Sequence, residues 1–113
     1  MNRLLKKEFI IISIGAIPAA ILRWQVDNIL IVNIIGCFLI GFINYLHISK
    51  RLKLILVFGF CGSLTTFSGF SLQLFELVSH GLYNLFFLHS IIIVIISILT
   101  VALGHWFAQK IIN

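Results

Sequence analysis

The densest group of small and hydroxyl side chains lies between positions 59 and 71, inside a long apolar run. It contains three glycines, three serines, two threonines and three phenylalanines: Gly59, Phe60, Gly62, Ser63, Thr65, Thr66, Phe67, Ser68, Gly69, Phe70 and Ser71. Glycine and clustered Ser/Thr make a poor continuous helix. A helix broken inside a bilayer frees carbonyl and amide groups that can hold ions. The alternative interpretation is a glycine-rich packing face whose hydroxyls bond back to their own helix.

A second polar position is Asn33, in the middle of another apolar run and followed at close spacing by Gly36 and Gly41. Its amide hydrogens could face an anion. An asparagine in the middle of a span also bonds across helix interfaces, for about 1–2 kcal/mol. Taken alone, the residue leaves both interpretations open, and the two glycines indicate close helix contact.

No arrangement of side chains indicates an enzyme. The four histidines are scattered along the chain, and nothing pairs a nucleophile with a base. Cys37 and Cys61 lie inside apolar runs without metal-ligand spacing, which is typical of cysteines that pack as small apolar side chains.

The elements that position these residues must be membrane-spanning helices. Of the 113 residues, 61% are hydrophobic and 10% are charged, against about 25% charged in ordinary soluble domains. A soluble domain this small could not hide so much apolar surface. We therefore expect an all-α membrane protein of one domain, 1–113, with four transmembrane helices and the third broken near the bilayer midplane.

Four apolar runs approach the roughly 20 residues that cross a bilayer. The predicted spans are about 4–24, 28–49, 54–76 and 85–109, with a turn at Ser79–Asn84 before the last.

The charge pattern gives these spans an orientation. Seven of the eight lysines and arginines lie in the N-terminal segment, the 50–53 loop and at Lys110, and only Arg23 lies on the opposite side. Basic loops face the cytoplasm, so both termini are predicted to be cytoplasmic. The net charge of +5 would then meet lipid phosphates rather than nucleic acid.

Three motifs in order resemble the Fluc (CrcB-type) fluoride channels. The run from Gly62 to Phe70 is similar to that family's glycine-glycine-x-Thr-Thr-Phe-Ser-Thr-Phe signature. Gly15-Ala16, Ala19-Ala20 and Arg23 resemble the family's first helix, and Asn33-x-x-Gly36 its second. The resemblance extends nearly end to end and favours a channel in a bacterial plasma (inner) membrane.

The resemblance implies a subunit of an antiparallel dimer that exports cytoplasmic fluoride by passive, electrogenic flow. It also implies a structural sodium ion at the centre, bound by the backbone carbonyls of Gly62 and Thr65. Carried over by position, the fluoride pathway would be lined by Asn33, by the ring edges of Phe67 and Phe70, and by Ser97 in the last span.

Three further residues take supporting roles in this comparison. Thr66 and Ser68 would hold the broken segment or line the path. Arg23 would draw anions to a vestibule, or would anchor the first helix at the membrane surface beside Trp24, where Asp27 could pair with it.

The chain also departs from the family pattern. Ser63 replaces a glycine, Gly69 replaces a threonine, and Ile93 interrupts the line of hydroxyls expected along the last helix, which also includes His89. A chain that inserts in both orientations should have little charge bias, whereas this one has a bias of seven to one. We therefore expect pairing with a related chain of opposite orientation.

Two rival functions remain for a minimal four-span chain. A small proton-coupled multidrug exporter needs a carboxylate within its first span, but Glu8 lies among lysines at the edge of that span. A non-transporting assembly subunit would use its polar residues only to join helices.

Overall fold

The computed structural model describes residues 2–112, which form helices joined by short turns. In chain order they are α1, α2, α3, α4 and α5. Helix α3 is one continuous run of three parts, the middle part being π-helical. The bounds are Arg3–Gln25 for α1, Ile29–Tyr45 for α2, Lys50–Lys53, Leu54–Cys61 and Gly62–Leu64 for α3, Phe67–Ser79 for α4, and Tyr83–Ile112 for α5.

Four helical units result, because α3 and α4 together make one unit interrupted at its centre. The segment Lys50–Ser79 and the helix Tyr83–Ile112 are each long and apolar enough to cross a membrane, and Ile29–Tyr45 is a shorter apolar helix. Large apolar side chains are exposed along all of the helices. The predicted all-α membrane fold with a broken third helix is confirmed.

The end of the second helical unit and the start of the third differ from the predicted spans. Helix α2 ends at Tyr45 rather than near 49, and Leu46 is already extended. The Ser49 hydroxyl then accepts a hydrogen bond from the backbone N–H of Leu52 at 3.2 Å, so α3 begins at Lys50 instead of 54. Such caps satisfy backbone N–H groups that a helix start leaves free.

The turn before the last helix is shorter than predicted. Helix α4 runs to Ser79 and α5 begins at Tyr83, so the turn is limited to His80–Leu82. Gly81 adopts a positive φ of 72°, a conformation that glycine takes at little cost.

Helices α1 and α3 cross where two buried glycines meet. A Cβ atom on Gly15 would overlap the carbonyl oxygen of Ile55, and one on Gly59 would overlap that of Ile12. Small residues at a crossing let two backbones approach closely in a membrane. The same stretch of α1 contributes Ala19, which packs with Val32 and Leu64 in the buried core immediately before the break.

Helices α2 and α5 cross in the same way at Gly41 and Gly104. A Cβ atom on Gly41 would overlap the carbonyl oxygen of Val101, and one on Gly104 would overlap that of Phe38. The two crossings fix α1 to α3 and α2 to α5, and the break in the third unit lies between these pairs.

Candidate functional site at the helix break

The break occupies two residues between α3 and α4. Thr65 (φ −78°, ψ 153°) and Thr66 (φ −140°, ψ 114°) are extended, and helical structure resumes at Phe67. The position is near the centre of the Lys50–Ser79 segment. The interruption predicted for residues 62–70 is therefore present, and it occupies the middle of that range.

Asn33 of α2 holds the break through two hydrogen bonds. The backbone N–H of Thr66 donates to Asn33 Oδ1 at 2.7 Å, and Asn33 Nδ2 donates to the carbonyl oxygen of Thr66 at 3.3 Å. Because the backbone N–H can only donate, it fixes which end of the amide carries oxygen. One amide hydrogen of Asn33 is used in this pairing, and the second is left for another acceptor.

The Thr66 hydroxyl caps the start of α4. Its Oγ1 accepts a hydrogen bond from the backbone N–H of Gly69 at 3.1 Å and lies 3.2 Å from Ser68 Oγ. Thr66 therefore caps the helix that follows the break, and Ser68 contacts this capping hydroxyl.

The break removes helical donors from two carbonyl groups. In an unbroken helix the N–H of Thr66 would bond to the carbonyl of Gly62, and the N–H of Gly69 to that of Thr65. Here the first N–H bonds to Asn33 and the second to the Thr66 hydroxyl. These are the two carbonyls that the sequence comparison assigned to a cation.

The hydroxyl of Thr65 is bonded within its own helix and is not a free ligand at the break. Its hydroxyl donates to the carbonyl oxygen of Cys61 at 3.1 Å, and its backbone N–H bonds to the same oxygen at 3.1 Å. The hydroxyl and the N–H of Thr65 are therefore occupied, and its carbonyl is the polar group that lacks its helical N–H donor.

A groove of about 370 Å³ runs past the break between α2, α4 and α5. Its walls bring together most of the predicted site: Asn33, Thr65, Thr66, Phe67, Phe70 and Ser97. The rings of Phe67 and Phe70 have centroids 6.3 Å apart and are tilted by 55°. Phe67 is 81% exposed in the single chain.

Ser97 differs from the other two aliphatic hydroxyl residues of α5. Ser90 and Thr100 donate to the carbonyl four residues back, at 2.7 and 2.6 Å. Ser97 makes no hydrogen bond within residues 2–112 and lines the groove. Ile93, one turn earlier, lines the groove as well, so the predicted gap in the line of hydroxyls lies inside the site.

Arg23 lies outside the groove. It is exposed in the last turn of α1, where a positive charge is favourable against the helix dipole. No ion pair joins Arg23 to Asp27 in the described part of the chain, where Lys50 and Glu8 form one at 3.9 Å. The structure does not bring Arg23 together with the other predicted site residues.

The groove also has lining residues that sequence reasoning missed: Cys37, Ile40, Val94 and Ile98. Cys37 is four residues after Asn33 and therefore on the same face of α2, which is the signal that could have identified it. The aliphatic residues give no such signal, because they resemble those that face lipid.

Comparisons with known proteins identify the family. The sequence profile described as "CrcB-like protein, Camphor Resistance (CrcB)" matches residues 10–105. This chain belongs to the CrcB family.

Among CrcB-family relatives, the fluoride-specific ion channel FluC 1 of Prochlorococcus marinus (strain NATL2A) is 54% identical over 102 residues, covering 90% of each chain. The fluoride-specific ion channel FluC 2 of Synechococcus sp. (strain CC9902) is 36% identical over 109 residues, covering 92% of this chain and 81% of the relative. A fluoride-specific ion channel FluC of Methanococcus aeolicus is 40% identical over 90 residues, covering 66% of this chain and 73% of the relative. The predicted family is confirmed.

Proposed function

We propose that this chain is a subunit of a fluoride-specific ion channel that exports cytoplasmic fluoride by passive, electrogenic flow. The observation that carries the proposal is the groove at the helix break, where an asparagine amide, two phenylalanine rings and a free serine hydroxyl face one space. The family membership and the names of its relatives support the same assignment.

The groove has the donors that a small, strongly hydrated anion requires. The second amide hydrogen of Asn33 and the hydroxyl of Ser97 are conventional donors. The edges of Phe67 and Phe70 carry the positive part of the aromatic quadrupole. Donors fixed before the ion arrives replace its water without reorganisation, so fluoride would pass from group to group along the groove.

The carbonyls of Gly62 and Thr65 fit a sodium ion. Both have lost their helical N–H donors, and unwound backbone carbonyls are ligands that transporters use for Na⁺. Gly62 is exposed on the single chain, so a second subunit could add its own pair of carbonyls. Bound there, the cation would supply a fixed positive charge that offsets part of the cost of holding anions within the membrane.

An antiparallel dimer would cover part of the exposed apolar surface. The seven-to-one charge bias opposes insertion of one chain in both orientations. We therefore propose a partner that is a related chain with the reverse bias, in a bacterial inner membrane where both termini of this chain are cytoplasmic.

The carboxylates argue against a proton-coupled exporter. Glu8, in the second turn of α1, has a side chain 44% exposed and is paired with Lys50. Glu76 is exposed near the far end of α4. Neither lines the groove at the break.

Fluoride efflux from liposomes tests the proposal. Purified protein, alone and co-expressed with an oppositely biased family member, is reconstituted into vesicles loaded with fluoride or chloride. A potassium ionophore is then added to relieve the charge imbalance. We expect fluoride efflux without a proton gradient and little chloride efflux. Efflux that requires the gradient would indicate an exporter, and no efflux from either preparation would indicate an assembly subunit.

Two phenylalanines of α4 provide a matched pair of variants. Phe70→Leu removes an aromatic edge from the groove and should lower fluoride efflux at least tenfold. Phe75→Leu changes an exposed ring that does not line the groove and should leave efflux near the wild-type rate. Equal rates in the two variants would contradict the assignment of the pathway.

A further inference from the structure

A groove of about 300 Å³ lies between the start of α1 and the start of α3, far along the chain from the break. Four charged side chains line it, those of Lys7, Glu8, Lys50 and Arg51. Three of them are cations and one is a carboxylate, so the lining carries a net charge of +2. A groove with this charge attracts an anion.

The same groove has an apolar part. Leu4, Ile11 and Leu54 complete its lining. Ile11 and Leu54 follow the cations along α1 and α3, within the uncharged runs 9–22 and 54–75. The groove therefore extends from the charged ends of two helices to the segments that enter the bilayer, which is the depth of the lipid headgroups.

The cations of the groove are available to a ligand. Lys50 Nζ lies 3.9 Å from Glu8 Oε1, and the two side chains are 85% and 44% exposed. An exposed pair of this kind contributes little to stability. Lys7 and Arg51 are exposed and form no ion pair in the part of the chain that the structure describes. Phosphate oxygens can therefore approach positive groups on both helices without breaking a strong contact.

We propose that this groove binds the headgroup of an anionic phospholipid, with its phosphate on the three cations and the first methylenes of its acyl chains on Ile11 and Leu54. Basic pockets between membrane helices bind such headgroups. A soluble phosphate would match the charges but would leave the apolar part uncovered, whereas a phospholipid matches both. The inference is independent of the channel assignment, because a lipid site does not depend on what the helices conduct.

A lipid in this groove would join two helices that cross deeper in the bundle. Its phosphate would bridge α1 and α3 about two turns before their crossing at Gly15 and Gly59. Helix α3 leads directly to the break at Thr65 and Thr66. The lipid would therefore stabilise the helix pair that carries the broken unit, and a ligand that binds only the folded state raises its melting temperature.

The test compares melting temperatures of the purified protein in detergent micelles that contain phosphatidylglycerol or phosphatidylcholine, or with inorganic phosphate in solution. We expect the melting temperature to rise with the fraction of phosphatidylglycerol. It should change little with phosphatidylcholine, whose headgroup has no net charge, or with inorganic phosphate. An equal rise with inorganic phosphate would indicate a site for free anions, and an equal rise with phosphatidylcholine a general effect of lipid. Either result would overturn the inference.

Two double variants separate the groove from the charge around it. Lys7→Gln with Arg51→Gln removes two lining cations and keeps the ion pair beside them. The phosphatidylglycerol fraction that gives half of the rise should then increase roughly 20-fold, about fivefold for each cation removed. Lys6→Gln with Lys53→Gln removes the same charge from the same two helices outside the lining, and should respond as the wild type does. Equal responses of the two double variants would show that lipid senses only the overall charge, and would overturn the groove as its site.

Glu8→Gln is a variant with the opposite expected sign. It removes the carboxylate from the lining, so less phosphatidylglycerol should be needed for half of the rise. Structural damage can weaken binding, but it does not tighten binding, so this variant keeps the test valid if the groove variant fails to fold. Unchanged or weaker binding by Glu8→Gln would contradict a site held by charge. Fluoride efflux is measured separately, so failure of the lipid site leaves the channel assignment intact.

Discussion

At the scale of single residues, Asn33 is the side chain that both holds the break and lines the groove. Its amide pairs with the backbone of Thr66 much as a neighbouring strand would, and this satisfies polar groups that the break would otherwise leave bare in an apolar environment. The sequence offered an anion donor or an interhelical bond as alternatives. The geometry permits both at once, because the amide has two hydrogens and the pairing uses one.

Replacing Asn33 by alanine should therefore affect stability and transport together. Asn33→Ala leaves the N–H and the carbonyl of Thr66 without their partners, at a cost of about 1–3 kcal/mol, and it removes a donor from the groove. We expect a lower melting temperature in detergent and fluoride efflux near background. Asn44→Ala, at an exposed position late in the same helix, is the control. A variant at position 33 that melts and conducts like this control would contradict the role given to the amide.

At the scale of helices, the glycine and hydroxyl residues of the third unit allowed either a break or a close-packing face, and the resemblance to the Fluc channels favoured the break. The sequence did not predict where α2 ends. Residues 46–49 are as uncharged as those before them, so no charge marks the end of α2 at Tyr45. Nor could it predict the π-helical part of α3, because widening of a helix depends on packing against α1 and leaves no periodic signal in a uniformly apolar run.

The site shows the same division between what a sequence carries and what packing adds. The resemblance assigned Asn33, Phe67, Phe70 and Ser97 to one pathway, and these residues line one groove. Arg23 was predicted either to draw anions to a vestibule or to anchor the first helix, and it lies in the last turn of α1 outside the groove.

Helix contacts that depend on glycine give a prediction at this scale. Gly104→Ala would place a methyl group against the carbonyl oxygen of Phe38, and because backbone cannot move aside as a side chain does, α2 and α5 must separate. We expect a loss of about 1–3 kcal/mol, as for other overpacked positions, measured by thermal unfolding in detergent. Ala102→Val adds bulk at an exposed position of α5 and should cost much less. Equal losses in the two variants would show that the crossing tolerates a side chain.

At the scale of the whole molecule, the distribution of lysine and arginine predicts a single orientation. This orientation can be measured by labelling introduced cysteines with a membrane-impermeant maleimide, after Cys37 and Cys61 are replaced by alanine. His47→Cys and Asn84→Cys place exposed thiols near opposite ends of the bundle without altering the basic residues. We expect position 47 to react only after the membrane is opened and position 84 to react in intact cells. Reaction of position 47 in a large fraction of intact cells would indicate insertion in both orientations, and would remove the need for a partner of opposite bias.

The proposed sodium ion links the broken helix to the assembled molecule, since one chain contributes only two freed carbonyls and a second subunit must complete the set. A ligand that binds only the assembled state stabilises it by mass action. The melting temperature of the purified complex should therefore rise with sodium but not with potassium at equal ionic strength. Thr65→Val should keep this sodium response, because the proposed ligand is the carbonyl and the hydroxyl is occupied with Cys61. A melting temperature that sodium and potassium raise equally would exclude a selective site at the break.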